Sequence, residues 1–382
     1  MSRLLLYAVT LNAALLLGAS GCSAFGLDDD PVLKEGAQLD VTDYGGDVPA
    51  SRAGYATLAT FMTTGGGIHF VDPGSGPEDP PRLVRTIVLP NHVRWDAQID
   101  DTGYLWVATP DADRAPIRRT YVIDPHAGVV HRSIELPEDL RAVASLAIGP
   151  DEVYLRAWRD GFSGGIGAVS RACVTAARAC SVRLVKELGD VGTTPERGLR
   201  YDTEDGSLYS FNQLNSRAER ASTLRLDPAT GEEFASLPFT GESAFDADGA
   251  LYLMYYTGAG TDAAQKVVGK FDADTFEPLA EAPVDDRLGW LARQGDRLYL
   301  TSIPYGEVGV FDTASLQQVA SFPLGATSSP TAAFGFLAPD VLMLNEHAWL
   351  NTATGEVEDD AFPLSAAFSQ ALRHAQGQPL AY

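Results

Sequence analysis

Two of the three cysteines, Cys173 and Cys180, have six residues between them and are flanked by segments with the composition of β-strands. This spacing suits two cysteines that face each other across a β-hairpin, and an oxidising compartment would let them form a disulfide. A redox-active pair or a metal site is the alternative. A metal site needs further Cys or His ligands nearby, and the sequence has none between Arg132 and Glu346 apart from these two cysteines. The sequence therefore predicts a structural disulfide.

The spacing of the histidines and a search for short catalytic motifs give little support to an enzymatic function. No two histidines have the H-x-H or H-x-x-x-H spacing typical of metal sites, and the chain has no nucleophile elbow, phosphate-binding loop or dinucleotide fingerprint. No cofactor, metal ligand or catalytic residue is predicted from these motifs. The histidines are His69, His92, His126, His131, His347 and His374.

The first 22 residues have the organisation of an export signal. Arg3 precedes an apolar run over residues 4–17, which is shorter than a membrane-spanning helix of about 20 residues, and small residues then lead directly into Cys22. This arrangement resembles the bacterial lipoprotein signal, in which the cysteine after the cleavage site carries the lipid. The resemblance implies a signal peptide over residues 1–21 and lipidation of Cys22. Residues 22–37 contain three consecutive Asp and little apolar periodicity, so they are expected to form an acidic tether. An ordinary secretory signal, with Cys22 incidental, is the alternative.

The same resemblance suggests that the protein is located in the cell envelope. Ser23, rather than Asp, follows the cysteine, which is similar to the pattern of lipoproteins sorted to the outer membrane. We therefore expect a lipid-anchored protein of the bacterial envelope that faces the periplasm or is exported to the surface. The predicted disulfide agrees with such an oxidising location.

The composition limits the class of protein and of partner. The chain has 382 residues, of which 45% are hydrophobic, so it can form a packed core. Its 28 Lys and Arg against 51 Asp and Glu give a net charge of −23, which repels phosphate backbones and argues against nucleic acid as a partner.

One sequence unit recurs along the chain and predicts the fold. Each copy has a turn rich in Asp and Gly followed by a short apolar strand, and further on a strand, an Asp-x-x-x-Gly or similar turn, and another strand. A unit of four short strands forms a small antiparallel sheet that cannot bury both of its faces alone. In a ring of such sheets, each sheet buries its faces against its two neighbours. The sequence therefore predicts an all-β fold, a β-propeller. The first apolar residues of the six clearest copies are Leu105, Val153, Leu208, Leu251, Leu298 and Val341.

The count of units predicts seven blades of four antiparallel strands in a single domain over residues 38–382. Residues 55–62, 68–72 and 84–90 supply only three strands of the first blade. We expect the C-terminal tail to supply its missing innermost strand and so close the ring. Eight blades are the alternative, if residues 379–382 form a further strand.

The repeat resembles the YVTN-type and quinoprotein-like propellers of bacterial extracytoplasmic proteins. The resemblance covers about residues 50–382 and includes the D-x-x-T-G segment that begins at Asp227. Quinoprotein repeats place a docking tryptophan four residues beyond the glycine, where this chain has Ala235 beside Phe234. The resemblance therefore implies the fold and an extracytoplasmic location, but not a quinone cofactor.

One end of the ring collects side chains suited to binding. In an up-and-down blade, the connections after strands two and four lie on the same side, and aromatic, Arg and amide side chains, which are enriched at binding hot spots, follow several predicted second strands. The alternative is that the aromatic rings complete the packing between blades. The candidates are Trp158, Arg159, Asp160, Asn212, Gln213, Tyr255, Tyr256 and Tyr305.

These observations predict a monomeric, lipid-anchored propeller outside the cytoplasm that acts as a non-catalytic binding or assembly module. Its partner is expected to be another envelope protein or a small ligand. The alternative function is that of a metal-dependent enzyme, a lyase, lactonase or other hydrolase, with its site in the central channel.

Overall fold

The recurring Asp-Gly turns and short strands fold into seven antiparallel sheets arranged as the blades of a β-propeller, as the sequence predicted. In blades 2 to 7 the strands follow each other in sequence order, and neighbouring blades contact each other mainly through their first, innermost strands. The computed structural model describes residues 32–45, 47–63, 66–89, 96–108, 118–138, 140, 142–158, 163–176, 179–190, 198–212, 222–245, 249–258, 264–302, 306–324, 334–345, 347–359, 361–362, 364 and 369–373.

Blade 1 combines strands from both ends of the chain. Its central strands are β2 (Ala59–Thr63), β3 (Gly67–Asp72) and β4 (Arg82–Val88), and β1 (Asp40–Asp43) adds a fifth strand on the outer edge of β4. The innermost place belongs to β29 (Ser369–Arg373), which pairs antiparallel with β2. The ring is thus closed by hydrogen bonds between the two ends of the chain.

The remaining blades have four strands each. Blade 2 contains β5 (Asp96–Ile99), β6 (Leu105–Ala108), β7 (Arg119–Asp124) and β8 (Val129–Glu135), and blade 3 contains β9 (Ala142–Ile148), β10 (Glu152–Trp158), β11 (Ser163–Ser170) and β12 (Val182–Asp190). Blade 4 contains β13 (Leu199–Tyr201), β14 (Leu208–Asn212), β15 (Ser222–Leu226) and β16 (Glu233–Leu237), and blade 5 contains β17 (Glu242–Phe245), β18 (Ala250–Thr257), β19 (Gln265–Asp272) and β20 (Pro278–Pro283). Blade 6 contains β21 (Leu288–Gln294), β22 (Arg297–Ser302), β23 (Glu307–Asp312) and β24 (Gln318–Pro323), and blade 7 contains β25 (Gly335–Ala338), β26 (Val341–Met343), β27 (Trp349–Asn351) and β28 (Val357–Glu358).

The prediction of a strand from residue 55 onward was wrong at its start. Residues Arg52–Thr57 form a 3-10 helix, held by turn hydrogen bonds such as that from the Gly54 N–H to the Ser51 carbonyl at 3.1 Å, and β2 begins only at Ala59. The turn lets the Tyr55 ring enter the core, where it packs edge-on against Phe70.

The turns between the third and fourth strands explain the Asp-x-x-x-Gly repeat. In blades 2, 4, 5, 6 and 7, one oxygen of the first side chain accepts hydrogen bonds from the backbone N–H groups two and three residues further on, at 2.7 to 3.2 Å. The fifth residue adopts a left-handed conformation, as Gly does readily, but Phe276 and Leu316 take it in blades 5 and 6, where both side chains are buried. The acceptors are Asp124, Asp227, Asp272, Asp312 and Asn351.

The predicted disulfide is present between Cys173 and Cys180. The two cysteines lie in the connection between β11 and β12 rather than in the paired strands, and Cys173 belongs to a short helix α1 (Ala172–Thr175). Backbone carbonyls of this connection accept hydrogen bonds from blade 2, at 2.9 Å from the His131 ring to Val174 and at 2.7 Å from Arg132 to Ala176. The disulfide therefore secures a contact between blades 2 and 3.

The last six residues of the segment expected to be a tether lie against blade 2. The Leu33 N–H donates to the Tyr121 hydroxyl at 3.2 Å, and the Gly36 N–H donates to the Val130 carbonyl at 2.8 Å. Cys22 and the rest of the predicted tether and signal peptide lie outside the described residues. Within the part of the chain that the structure describes, no helix is long and apolar enough to cross a membrane.

Candidate functional site

One end of the ring, where second strands finish and first strands begin, carries the four candidate residues that lie in the described part of the chain. We call this end the candidate face. The sequence placed the candidates in the connections after second strands, but Trp158 is the last residue of β10 and Asn212 the last of β14, so both belong to the strands themselves. Tyr255 and Tyr256 likewise lie within β18, the second strand of blade 5, just before its end. The other candidates, Arg159, Asp160, Gln213 and Tyr305, lie outside the described residues.

Tyr255 has a packing role. Its ring is 4% exposed and stacks on Phe239, with 4.0 Å between the ring centroids and 4° between the planes. Its hydroxyl donates a hydrogen bond to the carboxylate of Glu281, and burial, followed by that hydrogen bond, raises the pKa of the phenol. The side chain thus fills the interior of the fold, the alternative considered for the aromatic candidates.

Tyr256 points the other way, because neighbouring side chains on a strand alternate between its two sides. Its ring is 45% exposed, and the Lys266 ammonium on the adjacent strand lies 5.2 Å from the ring centroid. Lys266 also donates to the Leu288 carbonyl in blade 6. Tyr256 and Lys266 together present an aromatic surface and a cation beside the junction of blades 5 and 6.

A cleft of about 390 Å³ runs along that junction. Its walls combine apolar side chains with polar ones, and the Asp285–Arg287 ion pair lies at one side, where the hydrogen bonds from Arg287 lower the pKa of Asp285 to about 2. The Lys266 carbonyl accepts a hydrogen bond from the Val284 N–H at 3.0 Å, which places the cleft next to Tyr256 and Lys266. The apolar lining residues are Pro283, Val284, Leu288, Phe311 and Leu316.

Sequence reasoning missed a buried arginine two residues before Trp158. Arg156 is 1% exposed and lies between blades 3 and 4, where its Nη1 donates to the Phe211 carbonyl at 2.6 Å. Its Nε and Nη2 have no hydrogen-bond partner among the described residues, and burial lowers the pKa of its guanidinium to about 10. Ser145, its cross-strand neighbour on β9, also has a buried hydroxyl without a described partner. The available signal was a charged residue in the interior of a second strand, between the apolar residues Leu155 and Ala157.

The junction of blades 2 and 3 is closed by side chains from β5. The Asp96 carboxylate accepts a hydrogen bond from the Leu146 N–H at 3.0 Å, and the Gln98 amide donates to the Leu146 carbonyl at 2.7 Å. Both side chains are buried. These bonds satisfy backbone groups of the innermost strand of blade 3, which is a structural use of polar side chains in the centre of the ring.

Among the described residues, no group of three or more His, Cys, Asp or Glu side chains is placed to hold a metal ion. His69, in blade 1, contacts two threonines instead. Its Nε2 lies 3.0 Å from the Thr63 hydroxyl oxygen and its Nδ1 lies 2.7 Å from that of Thr86. Burial lowers the pKa of the imidazole to about 4, so the ring is neutral at pH 7.

The position of the quinoprotein docking tryptophan is visible on β16. Ala235 stands there, and the neighbouring Phe234 is 52% exposed, with the Arg225 guanidinium 5.4 Å from its ring centroid. The aromatic side chain of this repeat thus lies on the surface rather than between blades.

No protein-family model matches the chain, and no curated protein matches it. In solved structures, the chain is similar to a chain of the hydrazine synthase of Kuenenia stuttgartiensis, with a TM-score of 0.54 and 13% identity over 85% of this chain and 99% of that chain. It is also similar to the dihydro-heme d1 dehydrogenase NirN in complex with DHE, with a TM-score of 0.53 and 10% identity over 88% of this chain and 80% of that chain. At these identities the similarity shows the fold alone: the chain is a seven-bladed β-propeller.

Proposed function

We propose that the chain is a lipid-anchored propeller of the bacterial cell envelope that acts as a non-catalytic binding or assembly module. The observation that carries the proposal is the exposed Tyr256 ring, which lies beside Lys266 and the cleft between blades 5 and 6 on the candidate face. An exposed aromatic ring next to a cation and a partly apolar cleft has the composition of a binding hot spot. Its partner is another envelope protein or a small ligand.

The N-terminal sequence supports the envelope location. The apolar run that ends in small residues and Cys22 resembles a lipoprotein signal, and the disulfide between Cys173 and Cys180 is stable in an oxidising compartment. The missing docking tryptophan at Ala235 favours the YVTN-type resemblance over the quinoprotein one. The net charge of −23 argues against a nucleic-acid partner.

The binding part of the proposal is tested by comparing partners recovered with the wild type, Tyr256→Ala and Leu279→Ala from detergent-solubilised envelope. Leu279 is a matched control, because it is exposed on the outer strand of the same blade, close to the opposite end of the ring. We expect one partner to be recovered with the wild type and Leu279→Ala but lost with Tyr256→Ala. Recovery of the same partners with all three proteins, or of none, would refute it.

The anchor is tested separately with Cys22→Ser. If Cys22 carries the lipid, the variant should move from the membrane fraction to the soluble fraction, since one attached diacyl group provides the membrane affinity. Cys180→Ser, which leaves Cys22 intact, is the control for the loss of a cysteine. Membrane association that is unchanged in Cys22→Ser would contradict the anchor.

A further inference from the structure

The buried guanidinium of Arg156 lacks a counter-ion among the described residues. Nη1 is engaged by the Phe211 carbonyl, whereas Nε and Nη2 have no partner among the described residues, and no described carboxylate forms an ion pair with the side chain. An uncompensated charge in the interior is costly, because the lost hydration is not replaced. Such a group requires an anion that the chain itself does not provide in its described part.

The two open nitrogens have the geometry of an oxyanion receptor. The N–H of Nε and one N–H of Nη2 point in parallel from the same edge of the planar guanidinium, and this edge binds two oxygens of a carboxylate or phosphate at once. Because Nη1 is held by Phe211 on the other edge, the orientation of the fork is fixed. The receptor is therefore organised before any ligand arrives, which reduces the entropy lost on binding.

Ser145 and Gly198 complete the surroundings. A Cβ on Gly198 would stand 2.3 Å from Nη1 of Arg156 and 2.9 Å from Oγ of Ser145, so the guanidinium and the hydroxyl both pack directly against the Gly198 backbone. Any larger residue at 198 would displace the guanidinium. The Ser145 hydroxyl, also without a described partner, lies near the same glycine on the Nη1 side of the guanidinium, so the two unpartnered nitrogens of Arg156 alone form the fork.

We infer that the Nε and Nη2 edge of Arg156 forms a receptor for the oxyanion group of a small solute, a carboxylate, phosphate or sulfate, between blades 3 and 4. The inference rests on the proposed binding function and adds a ligand chemistry to the same candidate face. Arg156 and Phe211 lie within two residues of the ends of β10 and β14, and Gly198 directly precedes β13, so the receptor lies just inside that face. Exclusion of water strengthens the attraction between the fork and an anion.

The test measures thermal unfolding of the full-length chain in detergent at pH 7 with sodium phosphate, sodium sulfate or sodium succinate, at an ionic strength held constant with sodium chloride. Chloride has no pair of oxygens to fill the fork, so it serves as the reference anion. We expect at least one oxyanion to raise the melting temperature of the wild type with a saturable dependence on concentration. The oxyanion that does so identifies the ligand class.

Three variants assign that effect to the receptor. Arg156→Met should lose the shift, and Arg156→Lys should lose most of it because an ammonium lacks the fork. Arg183→Met is the matched control, because Arg183 is an exposed arginine of the same blade that pairs with Glu152, and it should keep the shift.

A second readout separates a receptor from a purely structural arginine. Without oxyanion, Arg156→Met should melt at the wild-type temperature or above, because methionine of similar length removes an unpaired buried charge. The inference is overturned if no oxyanion shifts the wild type saturably, if Arg156→Met or Arg156→Lys keeps the full shift, or if Arg156→Met melts well below the wild type without oxyanion. None of these outcomes depends on Tyr256, so they leave the partner-binding test above independent.

Discussion

The buried imidazole of His69 should make the stability of the fold depend on pH in a defined window. Burial lowers its pKa from 6.5 to about 4 in the folded chain, whereas the unfolded chain has an ordinary histidine. Between these two values the unfolded state binds a proton that the folded state does not bind. The stabilising contribution is therefore complete above pH 6.5 and is lost as the pH falls toward 4.

The shift of the pKa gives the size of the effect. A lowering from 6.5 to about 4 corresponds to about 3 kcal/mol of unfolding free energy over the whole window, of which about 2 kcal/mol is lost between pH 7 and pH 5. Carboxylates titrate in the lower part of the same range, so the pH profile of the wild type alone is not diagnostic. A comparison of two variants that differ only at His69 cancels the other groups.

The perturbation is His69→Gln, because glutamine keeps a donor and an acceptor for the Thr63 and Thr86 hydroxyls and does not titrate. His126→Gln, at an exposed turn of blade 2, is the matched control. Guanidinium unfolding at pH 7, 6 and 5 should show that His69→Gln loses about 2 kcal/mol less than the wild type on acidification. His126→Gln should follow the wild type.

Ring signals in NMR spectra of histidine-labelled protein give a direct measurement of the same pKa. The signal that disappears in His69→Gln should stay at its neutral position down to about pH 5, because the folded ring does not accept a proton there. The reasoning would be refuted by a His69 signal that titrates near pH 6.5. It would also fail if His69→Gln and the wild type lost the same stability between pH 7 and pH 5.

Two further predictions concern the disulfide of blade 3 and a buried carboxylate of blade 2. Replacing both Cys173 and Cys180 by Ala should lower the unfolding free energy by about 2.5 kcal/mol, because the unfolded chain regains the entropy of the short loop that the disulfide closes. Denaturant titration of the variant and of the oxidised wild type checks this, and equal unfolding midpoints would contradict it. Asp100→Ala should cost about 3 kcal/mol, because its carboxylate accepts hydrogen bonds from the Trp106 indole at 3.0 Å and from the Tyr104 N–H at 3.0 Å, and both residues are buried. Asp296→Ala, at an exposed turn, is the control and should change the unfolding midpoint little. An equal loss of unfolding free energy in both variants would show that the buried hydrogen bonds of Asp100 do not stabilise the fold.

The sequence allowed the propeller and its seven blades to be predicted because the repeated turn is a local structure. Asp227 and its equivalents bind the backbone of their own turn, so the same few residues recur whenever the turn recurs. The residues that pack against a blade, by contrast, come from other blades and are distant in the sequence. Tyr255 and Tyr256 are adjacent residues of the same type, yet Tyr255 is buried and Tyr256 is exposed, because their side chains lie on opposite sides of β18.

Arg156 illustrates why the polar part of a propeller core is hard to predict. Along β10, Val153, Leu155 and Ala157 pack toward blade 2, whereas Tyr154 and Arg156 lie on the other side of the strand. Along β10 alone, the residues of that second side have the mixed composition of a solvent-exposed strand face. Only the packing of blade 4 against it buries the guanidinium, so the burial of Arg156 becomes evident only when the ring is assembled.

The start of the described chain runs along blade 2 toward the candidate face. Gln38 forms a bridge with Val129 at the beginning of β8, and Glu35 accepts a hydrogen bond from the Ser133 N–H further along that strand, so the chain leaves the ring toward the end where fourth strands finish. Nine residues then lie between Val32 and Cys22, a span of at most about 35 Å. If Cys22 carries lipid, the tether therefore leaves from the side of the candidate face, and this favours ligands at or near the membrane surface over ligands that must approach from the opposite end of the ring.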